Sequence, residues 1–368
     1  MIALMHISDI ETPAIVVDLD IMERNLQRVA DYARSHGLRL RPHTKTHKSP
    51  LLGKRQLELG AAGLTVAKVG EAEVMLRSET PDLLVAYPVL GEQKLRRLMD
   101  VATRTELTVA LDGVEAANGL SRAAVGRGLE VSVLVEEDVG LGRTGIGDLS
   151  GLLALARHVD ALPGLRLRGF NFYPGHVKRM DDDGLAQLDA LGAQLLQTVE
   201  AWRQTGLPLE IVSGGSTPAL FHSHRLGSLN EIRPGTYIFN DRNTIECGSC
   251  TLDDCAAHML VTVVSTNRSG GFIVDGGSKT FSSDRLVTGN HTTFGLVREA
   301  PEALFLKMNE EHGYIDLPSR SAHFKVGDRL RILPNHICVA VNLHEQVYGV
   351  RGETVECVWP VEARGKLQ

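Results

Sequence analysis

The sequence predicts a (β/α)8 barrel followed by a mostly-β domain. Three features of the chain carry that prediction. Up to Asn240, short apolar runs alternate with longer amphipathic stretches. About eight such strand–helix units succeed one another, the number that closes a barrel of parallel strands. After Asn240 the texture changes, and strand-like runs succeed one another with few helical stretches between them. A doubly wound open sheet is the main competing reading of the first part.

The elements can be justified in order. Residues 14–17 are an apolar run that reads as a strand, and Asp20 is a plausible N-cap for the helix-like segment after it. Residues 21–36 have apolar positions Ile21, Met22, Leu26, Val29 and Ala33 at close to helical spacing, and Gly37 just past the end is a helix stop. Strand-like runs then cover residues 38–42, 63–67, 83–87, 107–111, 130–136, 165–172, 209–212 and 231–239. Helix-like stretches between them include residues 71–78, 92–102, 114–125 and 185–205. Beyond Asn240 the strand-like runs are residues 257–265, 271–274, 328–332, 337–343, 346–351 and 354–358. No internal repeat is visible.

Composition narrows the function classes. The chain has 368 residues, with 39 Lys plus Arg against 45 Asp plus Glu, for a net charge of −6. This mild acidity argues against a general binder of nucleic acid or anionic membrane, which needs a basic face. No uninterrupted apolar stretch is long enough for a transmembrane helix. The first residues carry Asp9 and Glu11 without a basic segment and long apolar core, so a secretory signal is not expected. Five cysteines are too few, and odd in number, for a disulfide scaffold, which fits a reducing cytoplasm.

The densest polar segment is Arg41-Pro42-His43-Thr44-Lys45-Thr46-His47-Lys48, at the end of a strand-like run. In a barrel the carboxyl ends of the strands form the active-site face. A lysine placed there can be desolvated into an imine-forming amine, although a solvated basic loop is the alternative. Ser213-Gly214-Gly215-Ser216-Thr217 also comes directly after a strand-like run and offers close backbone N–H groups and hydroxyls to a phosphate. Arg233-Pro234-Gly235-Thr236-Tyr237 lies on the next strand, at about the ordinal position where barrels often hold a phosphate. Arg143, in a Gly-rich turn after another strand, could contact an anionic oxygen or a ring. Tyr173 and His176 sit at the next strand end, where His176 could be a base or a ligand. In the β domain, His336 and Cys338 lie two apart; on a strand they would share a face and suit an open Zn²⁺ site. Cys247, Cys250 and Cys255, with His258 as a conceivable fourth ligand, are better read as free thiols.

These residues, in this order, resemble the fold-type III, alanine racemase-like pyridoxal phosphate enzymes. Within that group the chain is similar to the D-threonine aldolase and D-serine dehydratase family, over nearly its whole length. The resemblance implies Lys45 as the Schiff-base lysine. It implies Ser213, Gly214, Gly215, Ser216, Thr217, Gly235 and Tyr237 around the cofactor phosphate, with His43, Arg143 and Tyr173 also at the cofactor. His336 and Cys338 match the family's divalent-metal pair, for zinc, manganese or magnesium. Asp275-Gly276-Gly277-Ser278-Lys279 and Glu311-His312-Gly313 are further family-like segments. The implied organisation is a cofactor-binding barrel over residues 19–245 and a β domain with the metal site over residues 246–368, which takes back an N-terminal strand from residues 1–18. Family members are typically homodimers.

The resemblance implies a lyase for D-3-hydroxy-α-amino acids, of the D-threonine aldolase type, that yields glycine and an aldehyde. The alternative is a D-serine dehydratase-type ammonia-lyase that yields a keto acid and ammonia; a racemase or a non-catalytic cofactor-binding protein ranks lower. In this scheme Lys45 is the α-proton base, and His176 or a metal-bound water takes the β-hydroxyl proton. Two positions depart from the aldolases: these carry Asp where this chain has Cys338, and a His where it has Arg179. The dehydratases carry Cys at the first of these positions.

Overall fold

Apolar runs that pair as strands, and amphipathic stretches that cover them, build two units in a computed structural model that describes residues 5–318 and 323–368. One unit comprises Gln27–Lys45, Ser49–Gly235 and Gly365–Gln368. The other comprises the chain up to Leu26, Thr46–Lys48 and Thr236–Arg364.

The first unit is the predicted barrel. Its eight strands are Arg39–Leu40, Leu64–Val66, Asp82–Val85, Glu106–Leu111, Val131–Glu137, Leu165–Phe172, Ile211–Gly214 and Glu231–Ile232. All neighbouring pairs are parallel. The edges join through a parallel bridge between His43 and Thr65, with Thr65 N donating to Pro42 O and Thr44 N to Thr65 O, each at 2.8 Å. Closure removes the free sheet edges that an open doubly wound sheet would leave. Leu84, Ala110, Leu134 and Ile211, from four different strands, form one buried apolar cluster.

Helix Glu92–Ala102 begins and ends where its apolar spacing indicates, and its buried residues Leu95, Leu98, Met99 and Val101 lie on one stripe. Two further helices occupy stretches not read as such, Pro50–Glu58 and Leu149–Asp160. Pro at the start of the first and Asp148 capping Gly151 N in the second are ordinary helix-start signals. The last strand-like run shortens to Glu231–Ile232, because Pro234 cannot donate to a ladder; a one-turn 3-10 helix, Thr236–Ile238, comes after it.

The second unit is built on a ten-stranded sheet, with a separate two-stranded one formed by Leu286–Thr288 and His291–Thr293. Strand Ala14–Asp18 lies inside it, antiparallel to Ala257–Ser265 and parallel to Gln346–Arg351. Ile10, Ala14, Val16, Leu260, Val350 and Val355 pack as a buried cluster, so the N-terminal strand contributes directly to this core. One strand prediction is overturned here: residues 337–343 form a helix, Ile337–Leu343. The run is rich in β-branched residues, but short apolar runs do not separate the two periods, and the hydrogen bonds at its start decide for the helix. No helix among the described residues is long and apolar enough to cross a membrane.

Candidate active site

In the barrel unit the predicted cofactor residues stand at the carboxyl ends of successive parallel strands, the face on which barrel active sites form. Strand Arg39–Leu40 leads into His43 and Lys45, Val131–Glu137 into the turn bearing Arg143, and Leu165–Phe172 into Tyr173 and His176. Strand Ile211–Gly214 opens the Gly/Ser loop, and Glu231–Ile232 leads to Gly235.

The segment before Lys45 is anchored by a buried ion network. Arg41 Nε donates to Glu231 Oε2 at 2.9 Å and Nη2 to Asp82 Oδ2 at 2.7 Å. Ser213 Oγ donates to Glu231 Oε1 at 2.7 Å; Arg233 in turn donates to Ser213 Oγ at 2.6 Å and to Phe172 O at 3.0 Å. One chain of bonds thus ties the strand before Lys45 to the start of the Gly/Ser loop. Burial alone would lower the Arg41 pKa, but Glu231 and Asp82 more than offset it and hold it above its ordinary value. Desolvation lowers the pKa of buried Arg233.

Lys45 is exposed, and its Nζ makes no hydrogen bond or ion pair among the described residues. Its backbone N–H donates to His43 Nδ1 at 3.4 Å. In the Gly/Ser loop a Cβ on residue 214 would come within 2.3 Å of the Phe172 ring, so only glycine fits. Gly215 has φ +87°, in the left-handed region. None of the N–H groups of Gly215, Ser216 and Thr217 bonds to another described residue. Three free N–H groups beside two hydroxyls make an anion cradle. A free amine and a cradle at one barrel face fit a phosphate-bearing aldehyde cofactor.

Arg143 lies with Cζ 4.9 Å from the centroid of the Tyr173 ring, a cation–π contact. His176 Nδ1 is buried and has no partner among the described residues. It lies in the field of Asp138. Burial would raise the Asp138 pKa, but hydrogen bonds from the N–H groups of Gly142, Gly140 and Leu141 lower it overall.

The second unit holds Tyr237, buried in the 3-10 turn, and the His336–Cys338 pair. The pair does not share a strand face as expected. His336 is the N-cap of helix Ile337–Leu343 and Cys338 lies in its first turn. The two side chains nevertheless meet through a hydrogen bond. The His336 pKa is raised to about 11, first by the charge of Cys338, then by its bond to Asp241, against the opposing effect of burial. Cys338 Sγ also lies 3.1 Å from Thr46 Oγ1 and 3.6 Å from Thr236 Oγ1.

Asp241 was not singled out from the sequence. Its position before Thr244 is a readable capping signal, since Thr244 N donates to Asp241 Oδ1 at 2.9 Å; nothing local reveals that its other oxygen meets His336. Among the described residues no group of three or more His, Cys, Asp or Glu side chains is placed to hold a metal ion. Cys247, Cys250 and Cys255 form no disulfide among the described residues, and Cys250 Sγ donates to Thr244 Oγ1 at 3.3 Å. His258 faces Arg298, 3.1 Å away, rather than these cysteines. In the remaining family-like segments, Asp275 accepts from Thr12 Oγ1 and Thr262 N, and exposed Lys279 pairs with Glu310 and Glu311.

A lysine at the strand ends of a closed parallel barrel, with an N–H cradle at another strand end of the same face, defines the alanine racemase-like class of pyridoxal phosphate enzymes. Residues 17–243 match the family described as alanine racemase, N-terminal domain, and residues 256–350 match the serine dehydratase domain family. The chain is 35% identical over 376 residues to 3-hydroxy-D-aspartate aldolase of Paracoccus denitrificans (strain Pd 1222), covering 98% of this chain and 94% of that one. The crystal structure of D-threonine aldolase from Filomicrobium marinum superimposes with a TM-score of 0.93 at 33% identity, covering 98% of this chain and 97% of that one. Two structures of D-threo-3-hydroxyaspartate dehydratase each superimpose with a TM-score of 0.89 at 30% identity over 97% of this chain, and over 96% and 98% of theirs. In one a histidine is replaced by alanine; in the other, a metal-free form, a cysteine two positions further on is replaced. The chain belongs to the D-threonine aldolase and D-serine dehydratase family of fold-type III pyridoxal phosphate enzymes.

Proposed function

We propose that this chain is a lyase of D-3-hydroxy-α-amino acids of the D-threonine aldolase type, which breaks Cα–Cβ to release glycine and an aldehyde. One observation carries the reading. Lys45, with a free Nζ, and the unbonded N–H groups of Gly215, Ser216 and Thr217 stand on one barrel face, in a family whose members include aldolases of this kind.

Pyridoxal phosphate supplies the electron sink for negative charge at the substrate α-carbon. Lys45 Nζ would be the attachment point for the cofactor aldehyde, and as a free amine it would carry the α-proton. The 215–217 N–H groups and the Ser216 and Thr217 hydroxyls would hold the cofactor phosphate. His176 Nδ1, buried and without a partner among the described residues, is the group available to take the β-hydroxyl proton.

His336 and Cys338 would hold a divalent metal, which supplies Lewis-acid polarisation of a hydroxyl. Two side-chain donors leave positions open for water or ligand, as catalytic metal sites do. A nitrogen–sulfur pair suits zinc ahead of manganese, and magnesium least. The two dehydratase variants support this role, since their replaced His and Cys are spaced as His336 and Cys338 are. We take the enzyme to work as a homodimer in the cytoplasm, where its cysteines, none of them in a disulfide among the described residues, would stay reduced.

Cys338 favours a second reading, because that dehydratase also has a cysteine two positions after a histidine. In it Lys45 would remove the α-proton, the hydroxyl would leave with a proton as water, and hydrolysis of the resulting imine by water would give a keto acid and ammonia. Incubation of the holoenzyme with D-threonine, D-3-hydroxyaspartate and D-serine, with and without chelator, separates the two. Glycine plus aldehyde establishes the aldolase; keto acid plus ammonia establishes the dehydratase. No turnover of any of the three, with cofactor and zinc bound, overturns both.

A further inference from the structure

Asp241 is fully buried, and its carboxylate accepts from three donors on two segments of the β unit. Thr244 N donates to Oδ1 at 2.9 Å, and Ile337 N and His336 Nδ1 both donate to Oδ2 at 3.0 Å. Asp241 is the N-cap of helix Arg242–Glu246, and through Oδ2 it also caps helix Ile337–Leu343, whose own N-cap residue, His336, does not. Both oxygens face backbone N–H groups, so a carboxyl proton has no place on either. The third donor, His336 Nδ1, must then carry its hydrogen, and only Nε2 can present a lone pair.

We propose that Asp241 is the positioning residue of the metal site: it locks His336 in the Nδ1–H form and directs Nε2 to the cation. The inference rests on the metal reading given above. Carboxylate–histidine–metal arrays of this kind strengthen the imidazole as a ligand and fix its ring plane. The same carboxylate starts the helix that carries Cys338, so one buried group sets both donors. Loss of such a partner costs roughly 10–100-fold in metal affinity.

The test uses the pyridoxal phosphate-loaded enzyme with Zn²⁺ as the probe. Zn²⁺ affinity, measured by competition with a chromophoric chelator, should fall roughly 10–100-fold in Asp241→Asn, while the cofactor absorbance stays unchanged. Asn must turn an N–H toward at least one of the three donors, so it cannot reproduce the pattern. His336→Ala should lose Zn²⁺ altogether. If His336→Ala binds Zn²⁺ like the wild type, the metal reading itself fails. If His336→Ala loses the metal and Asp241→Asn does not, only the role of Asp241 fails. Should Asp241→Asn not fold, long-range ¹H–¹⁵N spectra of ¹⁵N-histidine-labelled wild type decide. Zinc bound to Nε2 with Nδ1 protonated supports the inference, and zinc on Nδ1 overturns it.

Discussion

Arg41 and Glu231 form an ion pair at 2.9 Å with side chains only 1% and 0% exposed to solvent. The pair joins the strand that leads to Lys45 to the strand that leads to Gly235, and Ser213 extends it to the Gly/Ser loop. Removing one partner from such a pair leaves an uncompensated buried charge. Arg41→Met should therefore destabilise the fold by about 3–5 kcal/mol in urea denaturation. Glu231→Gln in the same background should recover part of the loss. A loss below about 1 kcal/mol would show that water or Arg39 takes over the charge of Glu231.

Lys45→Ala should abolish the cofactor's visible absorbance at about 410–430 nm, which reports covalent attachment to lysine. Borohydride reduction of the wild type, then peptide mass spectrometry, should place the tag on Lys45. An unchanged spectrum in the variant would move the attachment to another lysine.

Metal uptake should depend on pH through His336. Its pKa is raised to about 11 with Cys338 beside it, so at neutral pH the pair holds a proton that a metal must displace. Zn²⁺ affinity should then rise by roughly tenfold per pH unit between pH 6 and pH 8, with one proton released per ion. A flat profile in chelator competition would mean that the pair does not bind the ion.

His258 should set part of the acid stability. Burial first, then the charges of Arg298 and Arg331, lower its pKa from 6.5 to about 3. A depressed folded-state value means the unfolded chain binds the proton more readily. The stabilisation is whole above pH 6.5 and is lost as pH falls toward 3. Between pH 7 and pH 5 this group alone should cost about 2 kcal/mol. His258→Gln keeps an acceptor for Arg298 and should show a correspondingly smaller fall in denaturation over that range.

Much of this was legible in the sequence, because it rests on local patterns. Alternating apolar runs and amphipathic stretches are periodicities of single segments, so the barrel and the sheet after it could be read from them. The Lys45 segment and the Gly/Ser loop could be read because strand ends carry function in barrels. What failed needed a distant partner: residues 337–343 have the residues of a strand, and the cap that starts their helix comes from Asp241, 96 positions before Ile337.

The linear sequence could not reveal which distant groups meet. Arg41 and Glu231 are 190 positions apart, and Asp241 and His336 are 95 apart. Each pair forms because folding removes water from both groups, and a buried charge or N–H must find a partner. The chain's own order therefore determined the elements and the residue types at their ends. The tertiary structure alone decided that one buried carboxylate orders His336 and that one buried guanidinium anchors the strand before Lys45, since neither need exists until the groups are desolvated.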